Sequence, residues 1–339
     1  MQALRPIAVY GATGHTGRFV ILDALRRGLP VVAVGRDAER LESGTPAAAE
    51  RRPAALDDPA GLEAAFAGCA VVINCAGPFL ETAGLVAQAA LRAGGHYLDV
   101  SAEQPSTQDM FARFDAPARA AAKAVIPAAG FYGGLADLLA GALAKEGAID
   151  QVTVAVALDR WWPTAGTRNT AARNKAPRLV LSQGRLTPLV PSEDVLEWEF
   201  APPLGRQPMV ELPFSEIITM ASHLQVREIR SLLNRPALHD VRDPGTPAPV
   251  AEDASGRSAQ RFELAVRLVQ NGVVRTASVR GRDIYAVTAP IVMEAAVRLQ
   301  RTGYGRSGAM ALAEAFDPLD LLRSLQGSAL ELRGLALGA

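Results

Sequence analysis

Residues able to bind a metal or cross-link the chain are scarce. In 339 residues there are two cysteines, Cys69 and Cys75, and four histidines, at positions 15, 96, 223 and 239. None stands at ligand spacing, so no metal site is expected, and the cysteines read as small core residues rather than a disulfide framework. An excess of charge is also missing: Lys plus Arg and Asp plus Glu each number 35. That balance argues against a nucleic-acid partner and against an anionic membrane surface. No apolar run is long enough to cross a bilayer, and a first strand beginning near residue 7 leaves no room for a leader. The expectation is a cytoplasmic protein, long enough for two domains that each bury a core.

What is present is rhythm. The first 130 residues alternate short apolar runs with amphipathic stretches. Strands are expected at Ile7 to Tyr10, Val31 to Val34, Arg52 to Leu56, Ala70 to Cys75, His96 to Val100 and Ala124 to Ala129. Helices are expected at Thr16 to Arg27, Pro59 to Ala67, Gly84 to Ala93 and Thr107 to Lys123. Continuous apolar runs are the mark of strands covered on both faces, so the alternation predicts a Rossmann-type, doubly wound parallel sheet in an α/β chain. Beyond Gly130 the pattern changes. Helices are expected from Leu135 to Lys145, Thr167 to Leu181 and Ser215 to Ser222, with strands at Gln151 to Leu158, Val195 to Phe200, Met209 to Leu212 and Val226 to Leu232. Pro236 to Ser258 reads as a surface loop. Phe262 to Gln270, Asn271-Gly272 and Val273 to Arg280 spell a hairpin with a type I′ turn. Helical stretches from Thr288 to Arg301 and Asp317 to Leu325 close the chain. The division expected is a dinucleotide domain over 1–132, an inserted α+β domain with a mixed or antiparallel sheet over 133–285, and C-terminal helices over 286–339 that return to the first domain.

The most informative segment is Gly11-Ala12-Thr13-Gly14-His15-Thr16-Gly17, between the first strand and the first helix. Glycine at every third position there suits a pyrophosphate: Gly11 allows the turn, Gly14 the close approach of backbone to phosphate, and Gly17 tight helix–strand packing. The helix N-terminus supplies free N–H groups. At the end of the second strand stands Arg36, where an NAD-specific site would place a carboxylate. Its guanidinium suits a 2′-phosphate, which favours NADP, while Asp37 beside it leaves NAD open. Asn74, Ala76, Gly77 and Pro78 end the fourth strand at the edge where a nicotinamide would lie, and Phe79, Ser101 and Glu103 share that edge.

Gly11 to Gly17, Gly35-Arg36, Ile73 to Phe79 (INCAGPF), His96 to Glu103 (HYLDVSAE), Ala129-Gly130-Phe131 and Leu135 to Leu138 occur in an order that resembles the saccharopine dehydrogenase-like oxidoreductases. Weaker likeness continues at Ser215 to Thr219, Asp283 to Ala289 and Glu314 to Pro318. The resemblance implies an NAD(P)-binding Rossmann domain, an inserted domain for substrate binding and dimerisation, and a C-terminal return. Relatives commonly read Gly-Phe-Asp where this chain has Gly130-Phe131-Tyr132. Tyr132 is therefore a candidate proton donor, with packing the alternative. Phe131, Trp162, Thr167 and Arg168 join the substrate-side candidates, since the aromatic pair Trp161-Trp162 before a Gly-Thr-Arg helix start suits a pocket wall with an anion-binding end.

None of the five tyrosines has a lysine four residues on, so the Tyr-x-x-x-Lys machinery of short-chain dehydrogenases is missing. The expected activity is NADP-dependent hydride transfer to a polarised C=N or C=C bond of a small molecule. A non-catalytic NADP sensor or partner protein, and an atypical ketoreductase, remain alternatives. A homodimer is expected, with the Phe262 to Arg280 hairpin presenting the paired surface.

Overall fold

The computed structural model describes residues 4–191 and 196–335. The chain runs β1 (Ile7–Tyr10), α1 (His15–Arg26), β2 (Val31–Gly35), α2 (Ala38–Gly44), β3 (Glu50–Pro53), α3 (Pro59–Phe66), β4 (Val71–Asn74), α4 (Phe79–Arg92), β5 (His96–Asp99), α5 (Gln104–Ala120), β6 (Ala124–Ile126) and α6 (Gly134–Leu143). It continues with β7 (Ile149–Leu158), α7 (Ala165–Arg173), β8 (Leu179–Ser182), β9 (Arg185–Pro188), β10 (Leu196–Glu199), β11 (Arg206–Glu211), α8 (Glu216–His223), β12 (Val226–Asn234) and α9 (Arg235–Arg242). The last elements are β13 (Arg261–Gln270), β14 (Val273–Arg282), α10 (Thr288–Leu299), β15 (Gly308–Ala309), α11 (Leu312–Ala315), α12 (Pro318–Leu325) and β16 (Glu331–Arg333).

The first sheet has the order β15-β6-β5-β4-β1-β2-β3, all parallel, with Ile7 of β1 opposite Val31 on one side and Val71 on the other. Strand order reverses at β1, so a crevice opens between the carboxyl ends of β1 and β4, where doubly wound sheets bind their ligands. The first, second and fourth strands are apolar on both faces because each face is covered: Ala8, Val32 and Val72 point into one layer, and Ile7, Val9 and Ile73 into the other. Aspartates set two helix starts in this half. The carboxylates of Asp37 and Asp58 accept from the N–H groups of Arg40 and Gly61 at 3.0 and 2.9 Å.

The second sheet is mixed, with the path β10-β11-β12-β7-β13-β14-β16, and β8 pairs with β12 and β9. Alternation decides which face it buries. Val152, Val154, Val156, Phe262, Leu264 and Val266 point into the core that continues to α6 and α10 under the first sheet. The β13–β14 hairpin turns on Asn271 and Gly272 at φ of 54° and 73°, the positive pair that a type I′ turn demands.

Three expectations change. The helix begun near Thr167 ends at Arg173, and Leu179–Ser182 and Arg185–Pro188 form a hairpin: Pro177 interrupts the helix, and Gln183 and Gly184, both at positive φ, make the turn. The surface loop after Pro236 contains α9, which takes that proline in its first turn, where a missing N–H costs nothing. The C-terminal segment is not helical throughout. It adds β15 to the first sheet beside β6 and β16 to the second beside β14. As a result β14 is not a bare edge: Ser278 to Arg280 already pair with Glu331 to Arg333, and β13 pairs with β7. The expected strand at Val195 to Phe200 is observed from Leu196, and Val195 lies outside the described residues.

Candidate dinucleotide and substrate site

The glycine loop is held by backbone bonds. The N–H groups of Gly11 and Ala12 donate to the Val34 carbonyl at 3.0 and 3.2 Å, and that of Gly14 to the Gly11 carbonyl at 2.9 Å. Gly11 lies at φ +79°, and a Cβ on it would stand 2.9 Å from the Ala76 nitrogen. A Cβ on Gly17 would come within 2.3 Å of the Gly11 oxygen. Only glycine therefore lets the loop fold back on α1 and against the turn after β4. The N-cap residue Gly14 makes no side-chain cap and the first turn of α1 carries no acid, so the opening N–H groups of this helix are left for an anion. These are the features a pyrophosphate cradle needs. Thr13 lies against the end of α2, its Cγ2 3.4 Å from where a Cβ on Gly44 would stand. Arg36 is exposed at the end of β2 beside Tyr10, whereas the Asp37 carboxylate is engaged in capping α2.

The opposite wall of the crevice is the turn Cys75–Pro78, shaped from below by buried polar groups. The Asn74 amide oxygen accepts from the Ala76 N–H (2.9 Å), and its nitrogen donates to Thr82 Oγ1 (3.1 Å) and Tyr97 Oη (3.2 Å). Tyr97 donates on to Asp99 at 3.0 Å, and Asp99 also accepts from the N–H groups of Ser101 and Ala128. Burial pushes the Asp99 carboxyl up to about 6 in spite of these bonds. Asn74 thus supports the turn from beneath rather than facing the crevice. Glu103 crowns the start of α4, accepting from the N–H groups of Phe79 (2.7 Å) and Leu80 (3.2 Å) and from Thr170 Oγ1 (3.4 Å). Ser101 Oγ in turn accepts from the Glu103 N–H at 3.0 Å. Ser101, Glu103 and Phe79 therefore form one buried unit under α7, and a Cβ on Gly77 would stand 3.1 Å from Thr170 Oγ1.

Above the crevice the two sheets contribute to an aromatic box. Tyr132 meets Phe131 edge-on at 4.9 Å, stacks on Trp161 at 5.8 Å and lies 4.2 Å from the Phe214 ring. Trp161 Nε1 donates to Tyr285 Oη at 3.0 Å, and Thr167 Oγ1 shares a hydrogen bond with the same phenol at 2.9 Å. The ring of Tyr285 meets that of His15 edge-on at 5.3 Å, so the box is continuous with the glycine loop. Burial, with the nearby charge of Arg18, holds the His15 imidazole below its usual pKa, and its Nε2 is buried without a partner. Tyr132 Oη is also buried and unpartnered, and burial, then the Glu216 carboxylate, raise its pKa well above a free phenol. Behind it Arg178 lies over the Phe214 ring at 4.7 Å and donates to the Pro213 carbonyl at 2.5 Å.

Two substrate-side candidates do not join this box. The guanidinium of Arg168 donates to the carbonyls of Asp243 and Thr246 in the loop after α9, so α7 does not present it to the crevice. Trp162 offers only its carbonyl, to Tyr285 at 3.3 Å, and the buried indole is that of Trp161. Conversely, Tyr285, Phe214, Arg178 and Glu216 were not singled out as site residues. Glu216 and Tyr285 lie in two segments of weak family likeness that marked no side chain for the site, Phe214 and Arg178 in none, and only the packing of the second domain over the first sheet gathers them. Among the described residues no cluster of His, Cys, Asp and Glu could hold a metal ion, and no helix is long and apolar enough to cross a membrane.

Comparison with known proteins agrees with this geometry. The NAD(P)H-binding family matches residues 11–125, which run from the glycine loop to β6. A search of curated proteins found no match. Among solved structures, apo saccharopine dehydrogenase (L-Glu forming) from Saccharomyces cerevisiae superposes over 98% of this chain and 100% of its own, with a TM-score of 0.67 at 12% identity. The Citrobacter sp. triphenylmethane reductase complexed with NADP(H) is 29% identical over 29% of this chain and 37% of its own, TM-score 0.27. UDP-glucose 4-epimerase from Thermus thermophilus in complex with NAD is 21% identical over 29% of this chain and 37% of its own, TM-score 0.26. The fold over the whole chain is thus that of a Rossmann protein with an inserted α+β domain, and its cofactor is of the NAD(P) type. The coarse class is an NAD(P)-binding protein.

Proposed function

We propose that the protein is an NADP-dependent oxidoreductase of the saccharopine dehydrogenase-like group that reduces a polarised C=N or C=C bond in a small-molecule substrate. The observation that carries this reading is the Tyr132 phenol, buried and unpartnered in an aromatic box continuous with the glycine loop. The full-length likeness in fold to a saccharopine dehydrogenase supports the group.

In this reading the Gly11–Gly17 loop and the start of α1 hold the pyrophosphate, and Arg36 takes the 2′-phosphate. Asp37 is spent on its helix, which supports NADP over NAD. The turn Ala76–Pro78, held by Asn74, flanks the reactive ring. The dinucleotide, when bound, supplies a hydride. The chain then has to exclude water, orient the acceptor and hold a proton for it. Tyr132, Trp161 and Phe214 provide the apolar wall. The Tyr132 phenol is protonated at neutral pH and would give its Oη proton to the acceptor as the hydride arrives; burial works against the phenolate left behind, and the nearby Arg178 cation offsets part of that cost. Reduction of C=N or C=C needs no nucleophile, in keeping with a box that contains none.

The test is NADPH oxidation against a panel of imines, enoyl compounds and ketones, run with the wild type and Tyr132→Phe. Turnover of at least one imine or enoyl compound, lost in the variant, is expected. Turnover of ketones alone would favour an atypical ketoreductase. NADPH binding without turnover of any member would favour a sensor. We also propose a cytoplasmic homodimer. Since β13 and β14 are both paired within the chain, the contact would not extend the sheet strand to strand, and a monomer by light scattering at micromolar concentration would refute it.

A further inference from the structure

A second cavity, of about 650 Å³, opens on the far side of β13 and β14 from the aromatic box. Its cationic wall is made by Arg257, Arg261, Arg280 and Arg282, and its apolar wall includes Pro202 and Leu330. The arginines are incompletely matched. Arg280 pairs through Nε with Glu263 at 2.9 Å, yet its Nη2 is buried with no partner. Arg282 pairs with Asp253 at 2.5 Å. Glu331, the other acid on the lining, is already bound by Arg333 at 2.5 Å. The side chains of Arg257 and Arg261 form no hydrogen bond or ion pair among the described residues. Burial, then the neighbouring charges of Arg26 and Arg282, hold the Arg257 guanidinium below its ordinary pKa, although Asp283 and Asp23 act the other way. Guanidiniums crowded on one wall repel one another, and an anion placed among them relieves that repulsion.

We propose that this cavity is an accessory binding site for a small organic dianion, an oxyanion head such as a phosphate ester on an apolar body. The head would lie between Arg257 and Arg261, whose side chains are not held by an acid, and the body against Pro202 and Leu330. The site is separate from the glycine loop and does not depend on the function proposed above. The probes are phenyl phosphate and inorganic phosphate, with phenol as the uncharged control, titrated by calorimetry into protein saturated with NADPH so that the pyrophosphate cradle is filled. Phenyl phosphate should bind more tightly than inorganic phosphate, and phenol should not bind. Affinity should fall as salt rises. Arg261→Met and Arg257→Met, which break no ion pair, should each weaken phenyl phosphate about tenfold, the loss expected for one charge-assisted contact. Their NADPH affinity should stay within about twofold of wild type, since neither touches the cradle. Unchanged phenyl phosphate binding in both variants, or no binding to the NADPH-saturated wild type, would overturn the proposal. So would inorganic phosphate binding as tightly as the ester, because the apolar wall would then play no part.

Discussion

The glycine loop and the aromatic box meet at His15, yet they are built by opposite means. The loop is seven consecutive residues, and its shape follows from missing side chains: a Cβ on Gly17 would lie 2.3 Å from the Gly11 oxygen. The box draws Tyr132, Trp161, Phe214 and Tyr285 from separate segments. The bond from Trp161 to Tyr285 alone spans 124 residues. A site made of backbone tolerates changes around it but not in it. A site made of side chains can be altered one group at a time without disturbing the fold beneath. In the reading proposed above, the first recognises what many enzymes share, and the second sets what this one acts on.

That contrast makes two substitutions complementary. Tyr132→Phe should lower turnover by about 10²–10⁴-fold, the usual contribution of a positioned proton donor, while NADPH affinity is kept. Because the lost hydroxyl has no partner, thermal stability should hold or rise slightly. Gly17→Ala should do the reverse to binding. The loop must move to clear the new Cβ, at a strain of roughly 3 kcal/mol, or about 100-fold in NADPH affinity by fluorescence titration. If both variants lost cofactor and turnover in parallel, the two regions would not be separable units.

Arg36→Ala probes a smaller difference within the cradle itself. Removing one charge-assisted contact should weaken NADPH about tenfold and leave NADH within about twofold. Equal effects on both cofactors would return Arg36 to the role of an ordinary surface cation.

The packing of α8 against α6 has its own pH dependence. His223 of α8 lies 2.6 Å from the fully buried Asp137 of α6, whose other oxygen accepts from the Ala313 N–H of the C-terminal segment at 2.8 Å. Burial disfavours the imidazolium, but the Asp137 carboxylate outweighs it and raises the pKa of His223 above its ordinary value. A group raised on folding stabilises fully below its unfolded pKa, near 6.5, and the contribution fades as pH climbs through the folded value. Urea midpoints should therefore fall as pH rises above about 6.5, and His223→Gln should flatten that part of the profile. A purely local effect is expected at the hairpin tip, where Gly272 has open space around it but a φ of +73°. Gly272→Ala should cost roughly 1 kcal/mol of stability, without effect on NADPH binding, and a cost near zero would mean that the turn relaxes to another type.

Much of the first sheet was legible because its causes are local. Apolar runs covered on both faces, glycines at fixed spacing and Asn271-Gly272 each force one backbone outcome with little help from afar. The errors are equally physical. The helical pattern after Thr167 is cut by Pro177, and Leu181 turns away from helix because β12 offers it a strand partner at Ile229. The C-terminal strands β15 and β16 have 2 and 3 residues, too few for periodicity to reveal, and exist only because the edges of β6 and β14 await them. Arg168 and Trp162 have the chemistry of a pocket but point elsewhere, since a helix start predicts spacing and not facing. From the chain by itself follow the cradle, the cofactor class and the doubly wound sheet, since steric limits on backbone act between near neighbours. Which side chains meet above the cradle, that Tyr132 is buried with its hydroxyl unmet, and that four arginines line one distant cavity depend on how the two sheets pack. Contacts between remote segments leave no mark in the order of residues.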